Sequence, residues 1–122
     1  MKYTSEFDGN SGICTVRVTG EYRRPEDSDR LKSFAVEFSG KHKCHLFLFD
    51  LSQADVISGP YSSFESGNPK GEFAEKLRYV KTAMVRKRLT EDDYFFETVA
   101  VNLGYPIRVF TSFEKAVQWL SE

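Results

Sequence analysis

The chain has 122 residues, and its 40% hydrophobic and 29% charged composition is that of one globular domain spanning residues 1–122. Seventeen basic and eighteen acidic residues leave a net charge of −1, whereas proteins that bind nucleic acid or anionic membranes usually carry a basic excess, so we expect neither partner. The first residues lack the apolar run of a secretory signal, and no stretch has membrane-span length. We therefore expect a cytoplasmic protein.

The first predicted elements are a β-hairpin and a helix. Residues 3–7 and 13–18 alternate between apolar and polar side chains, and the turn-forming residues 8–12 separate them. Pro25 and the acidic residues after it predict the start of a helix, which Gly40 is expected to end. The apolar stripe of this helix is Leu31, Phe34, Ala35 and Phe38.

The middle of the chain predicts a central strand and a long loop. Leu46 to Phe49 is apolar at every position, which is typical of a parallel strand covered on both faces. The stretch Asp50–Pro69 is rich in Ser and Gly and shows no clear periodicity, so we predict a loop. Asn68 and Pro69 then resemble the N-cap and first residue of a helix.

The last third alternates strands with capped helices. Strands are predicted at Thr82–Val85 and Ile107–Phe110. Thr90 with Asp93 predicts a capping box for the helix between them, which Gly104 ends, and Thr111 is the expected cap of the final helix. The two helical stripes are Phe96, Val99, Ala100 and Leu103, and Phe113, Ala116, Val117 and Leu120. This alternation predicts an α/β fold with a mostly parallel sheet.

Two segments resemble a known family. Residues 45–59, HLFLFDLSQADVISG, resemble the part of STAS (SpoIIAA-like, anti-sigma-factor antagonist) domains in which a buried strand ends at Asp-Leu-Ser and leads to a Ser-Gly turn. Residues 96–120 are similar to the end of bacterial SpoIIAA-like proteins of uncharacterised function, with Asn-x-Gly, a strand ending Val-Phe, and a helix ending Ala-x-x-Trp-Leu. With the order of elements, the resemblance covers roughly residues 11–121.

The resemblance implies a fold and a way of working. The expected fold is a SpoIIAA-like (β/α) superhelix of four turns, with a mostly parallel five-stranded sheet and an antiparallel N-terminal edge strand. Family members are non-enzymatic, and many are regulated by phosphorylation of a loop serine that a partner protein reads. Switching members carry an acidic residue and Ser before the Gly turn, whereas Val56 and Ile57 precede Ser58-Gly59 here. Only Ser58 can therefore be the candidate phosphoacceptor.

The predicted loop is the first candidate contact site. Ligands of open α/β sheets bind at the carboxyl ends of strands, and long loops in compact domains are often functional. The candidate partner or ligand residues of the loop are Asp50, Ser52, Gly59, Tyr61, Ser62, Ser63 and Phe64. The alternative is a connector whose serines only satisfy nearby backbone groups.

A basic turn is the second candidate site. Arg86, Arg88 and Thr90 follow the next strand and precede a helix, where cations and backbone N–H groups could bind an anion. We expect this turn at the same rim of the sheet as the loop. The alternative is a solvated charge run, because three acidic residues at positions 91–93 follow directly.

No catalytic residue, metal or cofactor is predicted. The chain has neither a Gly-rich phosphate loop nor a nucleophile elbow. Its two histidines, His42 and His45, lie at the amino end of a predicted strand, away from the edge where active sites collect. Cys44 and His45 would face opposite sides of that strand, which disfavours both a metal site and a catalytic pair.

The preferred hypothesis is a non-enzymatic, cytoplasmic STAS/SpoIIAA-like module that regulates by protein contact, with phosphate on Ser58 docking on Arg86 and Arg88. The alternative is a carrier of a small apolar or amphipathic ligand, because some SpoIIAA-like proteins are grouped with CRAL-TRIO-type lipid-binding domains. Tyr61, Phe64 and Phe95 would line its pocket. Tyr94 and Phe95 cannot both join the helix stripe, so a homodimer contact is also possible.

Overall fold

The structure is a computed structural model that describes the backbone of residues 1–122 and the side chains at all positions except 60 and 72. Across these residues the chain forms five strands and five helices. In chain order they are β1 (Lys2–Asp8), β2 (Ile13–Arg23), α1 (Glu26–His42), β3 (Leu46–Ile57), α2 (Pro60–Gly67), α3 (Glu72–Leu77), β4 (Lys81–Val85), α4 (Glu91–Asn102), β5 (Ile107–Phe110) and α5 (Phe113–Leu120).

The strands form one sheet in chain order, β1-β2-β3-β4-β5. β1 pairs with β2 antiparallel through a hairpin, in which Gly12 adopts a positive φ of 76° that a side chain would disfavour. The remaining neighbours are parallel. Each parallel strand is followed by a helix, which gives four strand–helix units. This architecture confirms the α/β class and the mostly parallel sheet with an antiparallel N-terminal strand.

The sheet is covered on both faces, as the apolar central strand predicts. Phe47 and Phe49 of β3 belong to a large hydrophobic cluster with residues of α1, α3 and α4. Leu48 points to the opposite face and packs with Ala116 and Leu120 of α5. β3 therefore supplies apolar side chains to both clusters, and the predicted stripes of α1, α4 and α5 contribute to them. Two predicted stripe residues are instead exposed and belong to neither cluster: Leu103 at the end of α4 and Phe113 of α5.

The predicted loop at Asp50–Pro69 is wrong. β3 continues to Ile57, because β2 is also longer than predicted. β2 continues past Val18 to Arg23, which pairs with Ile57 of β3. Residues 60–67 then form α2. Among its described side chains the buried positions are Ser63, Ser66 and Gly67, and packing through small and polar residues gives no hydrophobic stripe that periodicity could detect.

Three predicted helix ends are also corrected. The helix predicted from Asn68 and Pro69 begins at Glu72, with Gly71 as N-cap, and Asn68 instead follows the end of α2. α1 passes through Gly40 to His42, and Lys43 takes the left-handed conformation that ends it. Ser112, not Thr111, is the N-cap of α5, because its hydroxyl accepts the Lys115 N–H at 3.2 Å.

Other helix ends agree with the predictions. The Thr90 hydroxyl accepts the Asp93 N–H, and the Asp93 carboxylate accepts the Thr90 N–H, which completes the predicted capping box of α4. Gly104 follows this helix with a φ of 89°. Within the described part of the chain, no helix combines the length and the apolar character needed to cross a membrane.

Candidate functional site

The carboxyl ends of β2, β3 and β4 meet the amino ends of α2 and α4. We call this region, residues 23–24, 57–67 and 86–93, the carboxyl rim. The serine-bearing and arginine-bearing stretches of the sequence both belong to it, because α2 packs against α4 and the Ser58 hydroxyl donates to the Asp92 carboxylate at 3.3 Å. The structure therefore brings the two predicted sites together.

Ser58 lies between the last residue of β3 and the N-cap of α2. It is half-buried, and Asp92 is its hydrogen-bond partner. Gly59 has no side chain to cap the helix, and the Ser62 hydroxyl instead accepts the Gly59 N–H at 2.7 Å. A group attached to the Ser58 oxygen would therefore contact both the amino end of α2 and an acidic residue of α4.

Two residues of the predicted contact set lie away from the carboxyl rim. Asp50 and Ser52 are inside β3, where the Ser52 hydroxyl donates to the Asp50 carboxylate at 2.6 Å. Asp50 also forms an ion pair with Arg17 at 3.1 Å, and Arg17 lies over the Phe113 ring of α5. These side chains thus stabilise the face of the sheet that α5 covers.

A buried ion cluster joins the ends of β2 and β4 to α4 at the carboxyl rim. Asp93 is fully buried and accepts hydrogen bonds from Arg24 at 2.9 Å and Arg86 at 3.1 Å. Burial by itself would raise the pKa of the Asp93 carboxyl, but the Thr90 N–H and the charges of Arg24 and Arg86 hold that pKa below its usual range. Ser63 of α2 lies 3.5 Å from the Arg24 guanidinium. Asp93 therefore fixes β2, β4 and α4 relative to one another.

This cluster changes the interpretation of the basic turn. Arg86 and Thr90, two of the three predicted anion contacts, both bind Asp93. Arg88 is exposed and, among the side chains that the structure describes, has no hydrogen-bond or ion-pair partner. An anion at this turn would consequently meet Arg88 before any other member of the predicted set.

A buried lysine lies behind α2. Lys32 of α1 is 5% exposed, donates to the Ser66 carbonyl oxygen and lies 5.4 Å from the centre of the Phe96 ring. Arg24 contacts the same ring at 4.9 Å. Burial lowers the pKa of the Lys32 amine to about 7, and the Arg24 charge adds to this effect while Asp29 opposes it.

Exposed aromatic side chains lie on α2, which follows Ser58, and on α4, which carries Asp92. Tyr61 is 75% exposed, and Phe64 and Phe95 are each 42% exposed. The Phe64 and Phe95 rings stack with their centroids 6.5 Å apart, which joins α2 to α4 at the surface. We call Tyr61, Phe64 and Phe95 the aromatic surface. The prediction that at least one of Tyr94 and Phe95 stays outside the core is confirmed, because both are exposed.

A small pocket lies between the aromatic surface and the start of α1. Its volume is about 140 Å³, and its lining includes Tyr61, Phe64, Asp29, Glu65 and Lys70. Burial raises the pKa of the Asp29 carboxyl, and the nearby charge of Glu65 adds to the effect. Ligand pockets usually measure about 300–1,000 Å³ and are mostly apolar, so this one does not favour an apolar cargo. The carrier hypothesis stays a prediction.

The cysteines and histidines lie at the amino end of β3, opposite the carboxyl rim. Cys14 and Cys44 are free and buried, and burial raises the pKa of the Cys14 thiol to about 11. The Cys44 thiol lies 3.4 Å from the Gly12 carbonyl oxygen. His45 is exposed, and its ring contacts the Ser39 hydroxyl at 3.3 Å.

Sequence reasoning missed three residues of the carboxyl rim and its surroundings: Arg24, Lys32 and Ser66. Arg24 follows a strand whose length was underestimated, and Lys32 is a charged residue within a helix, where exposure is the ordinary expectation. The only sequence signal was the role of Asp93 in a capping box. That role identifies a local hydrogen bond but not a partner 69 positions away, which is the separation of Arg24 and Asp93.

Comparison with known proteins identifies the fold. No protein-family model matches the sequence, and a search of curated proteins finds no similar sequence. The anti-sigma factor antagonist SpoIIAA, in its unphosphorylated form, aligns with a TM-score of 0.54 and 8% identity, over 98% of this chain and 97% of that one. An anti-sigma factor antagonist from Mycobacterium paratuberculosis aligns with a TM-score of 0.54 and 15% identity, over 99% and 96%.

A third solved structure adds to this likeness. It is an uncharacterised protein with a SpoIIAA-like fold from Shewanella loihica PV-4, which aligns with a TM-score of 0.52 and 15% identity over 98% of this chain and 92% of that one. At these identities the likeness shows the fold. The chain therefore has the SpoIIAA-like fold that its resemblance to STAS domains predicts.

Proposed function

We propose that the protein is a non-enzymatic, cytoplasmic regulatory module of the STAS/SpoIIAA-like kind, with residues 1–122 acting as one domain. In this proposal a partner protein binds the aromatic surface, and modification of Ser58 changes the affinity. The observation that carries the proposal is the presence of three exposed aromatic rings on α2 and α4, the two helices at whose amino ends the Ser58–Asp92 hydrogen bond lies.

The exposure of these rings supports a protein partner. Aromatic side chains are enriched at protein–protein interfaces, where each covers a large area and loses little conformational entropy. Tyr61 exposes its ring on α2, and the stacked rings of Phe64 and Phe95 extend the aromatic surface to α4. Two of the structural neighbours are anti-sigma factor antagonists, a class that is itself named for an effect on another protein.

The Ser58–Asp92 contact supports a switch by modification. A phosphate adds a charge of about −1.5 to −2 and removes the hydroxyl proton that Asp92 now accepts. Repulsion from Asp92 would oppose attraction by the amino end of α2 and by exposed Arg88. Because Arg86 is already bound to Asp93, Arg88 is the better partner for such a phosphate. The expected result is a shift of α2 relative to α4 beneath the aromatic surface.

Affinity capture tests the surface. Wild-type protein and the Phe64→Ser/Phe95→Ser variant are immobilised and exposed to extract from the source cells, with Tyr79→Ser as control. Tyr79 is 76% exposed and follows α3, outside the aromatic surface. We expect a polypeptide that wild type and Tyr79→Ser retain and the double variant does not. Retention of the same polypeptides by all three proteins would remove the aromatic surface as the binding site.

The switch has a separate test. Once a partner is captured, its affinity is measured for wild type, Ser58→Ala and Ser58→Asp by titration calorimetry. We expect Ser58→Asp to change the affinity by about tenfold, a coupling typical of regulated sites, and Ser58→Ala to change it much less. If Ser58→Asp and wild type bind equally, Ser58 is not the control point, although the aromatic surface could still be the binding site.

A further inference from the structure

The sheet has two edges, and they are protected differently. At the β5 edge the Glu97 carboxylate accepts the Val109 N–H at 2.9 Å, which occupies a backbone group of the edge strand. At the β1 edge all seven residues are exposed. In the part of the chain with described side chains, no side chain bonds to the backbone of residues 2–7. An open edge strand of this length is a template for another strand.

The sequence of β1 is complementary to itself. In a symmetric antiparallel pair, opposite residues lie on the same face, and full overlap of the seven residues places Ser5 opposite Ser5. Lys2 then lies opposite Asp8, and Tyr3 opposite Phe7. Each pairing occurs twice because of the symmetry. Opposite charges and paired aromatic rings are both stabilising combinations across strands.

The aromatic residues of β1 already belong to a line of rings on the α1 face. Tyr3 packs on Phe34 at 5.5 Å, and Phe7 packs on Phe38 at 5.9 Å. Tyr3 remains 39% exposed and Phe7 44% exposed, because nothing covers their outer sides within the described residues. A second β1 would place a Phe7 ring against Tyr3 and a Tyr3 ring against Phe7, covering both.

We propose that β1 pairs antiparallel with β1 of a second copy of this chain, so that the two sheets become continuous around a two-fold axis at Ser5. The partner is a second copy, because β1 is complementary in charge and in aromatic side chains to an antiparallel copy of the same seven residues. The aromatic surface on α2 and α4 takes no part in this contact, so the inference stands independently of the proposed function.

Charge exchange tests the pairing by sedimentation velocity. We expect a wild-type dimer and, for Lys2→Asp, a dimer dissociation constant raised by about tenfold, because two attractive pairs become repulsive. The Lys2→Asp/Asp8→Lys variant restores opposite charges and should dimerise within about threefold of wild type. Lys115→Asp makes the same charge change at an exposed position of α5 and should leave the dimer unaffected. A monomeric wild type at high micromolar concentration would overturn the proposal.

Disulfide crosslinking tests the register. Ser5→Cys would place two Cβ atoms about 4.5–5.5 Å apart across the axis, close enough to crosslink after mild oxidation. Lys2→Cys is the matched control, since its two copies would be offset by six residues, or about 20 Å along the strands. We expect a covalent dimer only for Ser5→Cys on a non-reducing gel. Equal crosslinking of both variants, or none of Ser5→Cys, would contradict this register.

Discussion

Two buried ionisable side chains near the carboxyl rim respond to burial in opposite ways. Asp93 stays charged because Arg24, Arg86 and the Thr90 N–H compensate for the lost hydration. Lys32 donates to a backbone carbonyl and lies over an aromatic ring, and burial shifts it towards the neutral amine although the charge of Asp29 opposes this. These environments lead to different predictions for stability.

Because the pKa of the buried Lys32 amine is lowered, we expect the stability of the protein to rise with pH. Its folded pKa of about 7 lies below its ordinary value of 10.5, so between these pH values the unfolded chain holds a proton that the folded chain lacks. The unfolding free energy should therefore rise from about pH 7 by roughly 1 kcal/mol per pH unit, and it should gain nothing from this group below pH 7. Urea titrations at pH 6 to 9 measure the slope.

A pair of variants isolates the Lys32 contribution. Lys32→Met keeps the length of the side chain and should remove most of the slope, while Lys115→Met at an exposed position of α5 should retain it. The same pH dependence in both variants would mean that other groups cause it.

Removing the charge of the Asp93 carboxylate should cause a large loss of stability. Asp93→Asn leaves Arg24 buried without its counter-charge and should lower the unfolding free energy at neutral pH by about 3 kcal/mol. Because the folded pKa of Asp93 is below its usual value, this contribution is complete above about pH 4 and is lost as the pH falls through the folded pKa. Denaturant unfolding measures it, with exposed Glu91→Gln as control. Similar stabilities of the two variants would show that the ion cluster contributes little.

At the scale of elements, α2 is held by close backbone approach more than by an apolar stripe. Ser63, Ser66 and Gly67 form its buried positions, and a Cβ at Gly67 would lie 2.7 Å from the Phe96 carbonyl oxygen and 2.9 Å from the Val99 Cβ. Glycine is therefore required where α2 ends against α4, and the distance between the two helices sets the spacing of the aromatic surface.

Gly67→Ala tests this packing. The added methyl group should push α2 from α4 and lower the unfolding free energy by about 1–3 kcal/mol. Gly40→Ala is the matched control, because Gly40 is an exposed residue inside α1 with nothing within 4 Å of its missing Cβ. It should raise stability by about 0.5–1 kcal/mol. Thermal melts distinguish the expected loss of stability in Gly67→Ala from the expected gain in Gly40→Ala. An unchanged melting temperature of Gly67→Ala would show that α2 adapts easily to the added methyl group.

At the scale of the whole molecule, β3 connects the two hydrophobic clusters. Phe47 and Phe49 on one face and Leu48 on the other are neighbours in one strand, so neither cluster can lose its packing without disturbing the other. Trp119, the one tryptophan of the sequence, contacts Phe110 at 5.8 Å beside the α5 cluster and reports on that face.

Cooperative unfolding is the expected consequence. Leu31→Ala removes a buried side chain from the α1 face and should lower the unfolding free energy by about 2–5 kcal/mol. Because β3 couples the faces, the midpoint of Trp119 fluorescence should shift as much as that of circular dichroism. A fluorescence midpoint unchanged by Leu31→Ala would indicate that the α5 face unfolds separately.

Elements with an apolar buried face can be predicted from the sequence alone. The stripes of α1, α4 and α5, the two-sided apolar run of β3 and the hairpin are local patterns, and they predict the α/β fold class and the order of the elements along the chain. The arrangement of the strands in the sheet is implied only by the resemblance to STAS domains. In contrast, α2, the extension of β3 to Ile57 and the pairing of Arg24 with Asp93 depend on tertiary contacts. α2 packs through small residues, the extension of β3 pairs with a neighbouring strand, and Arg24 and Asp93 are charges distant in sequence. Hydrophobic periodicity cannot predict contacts of these three kinds.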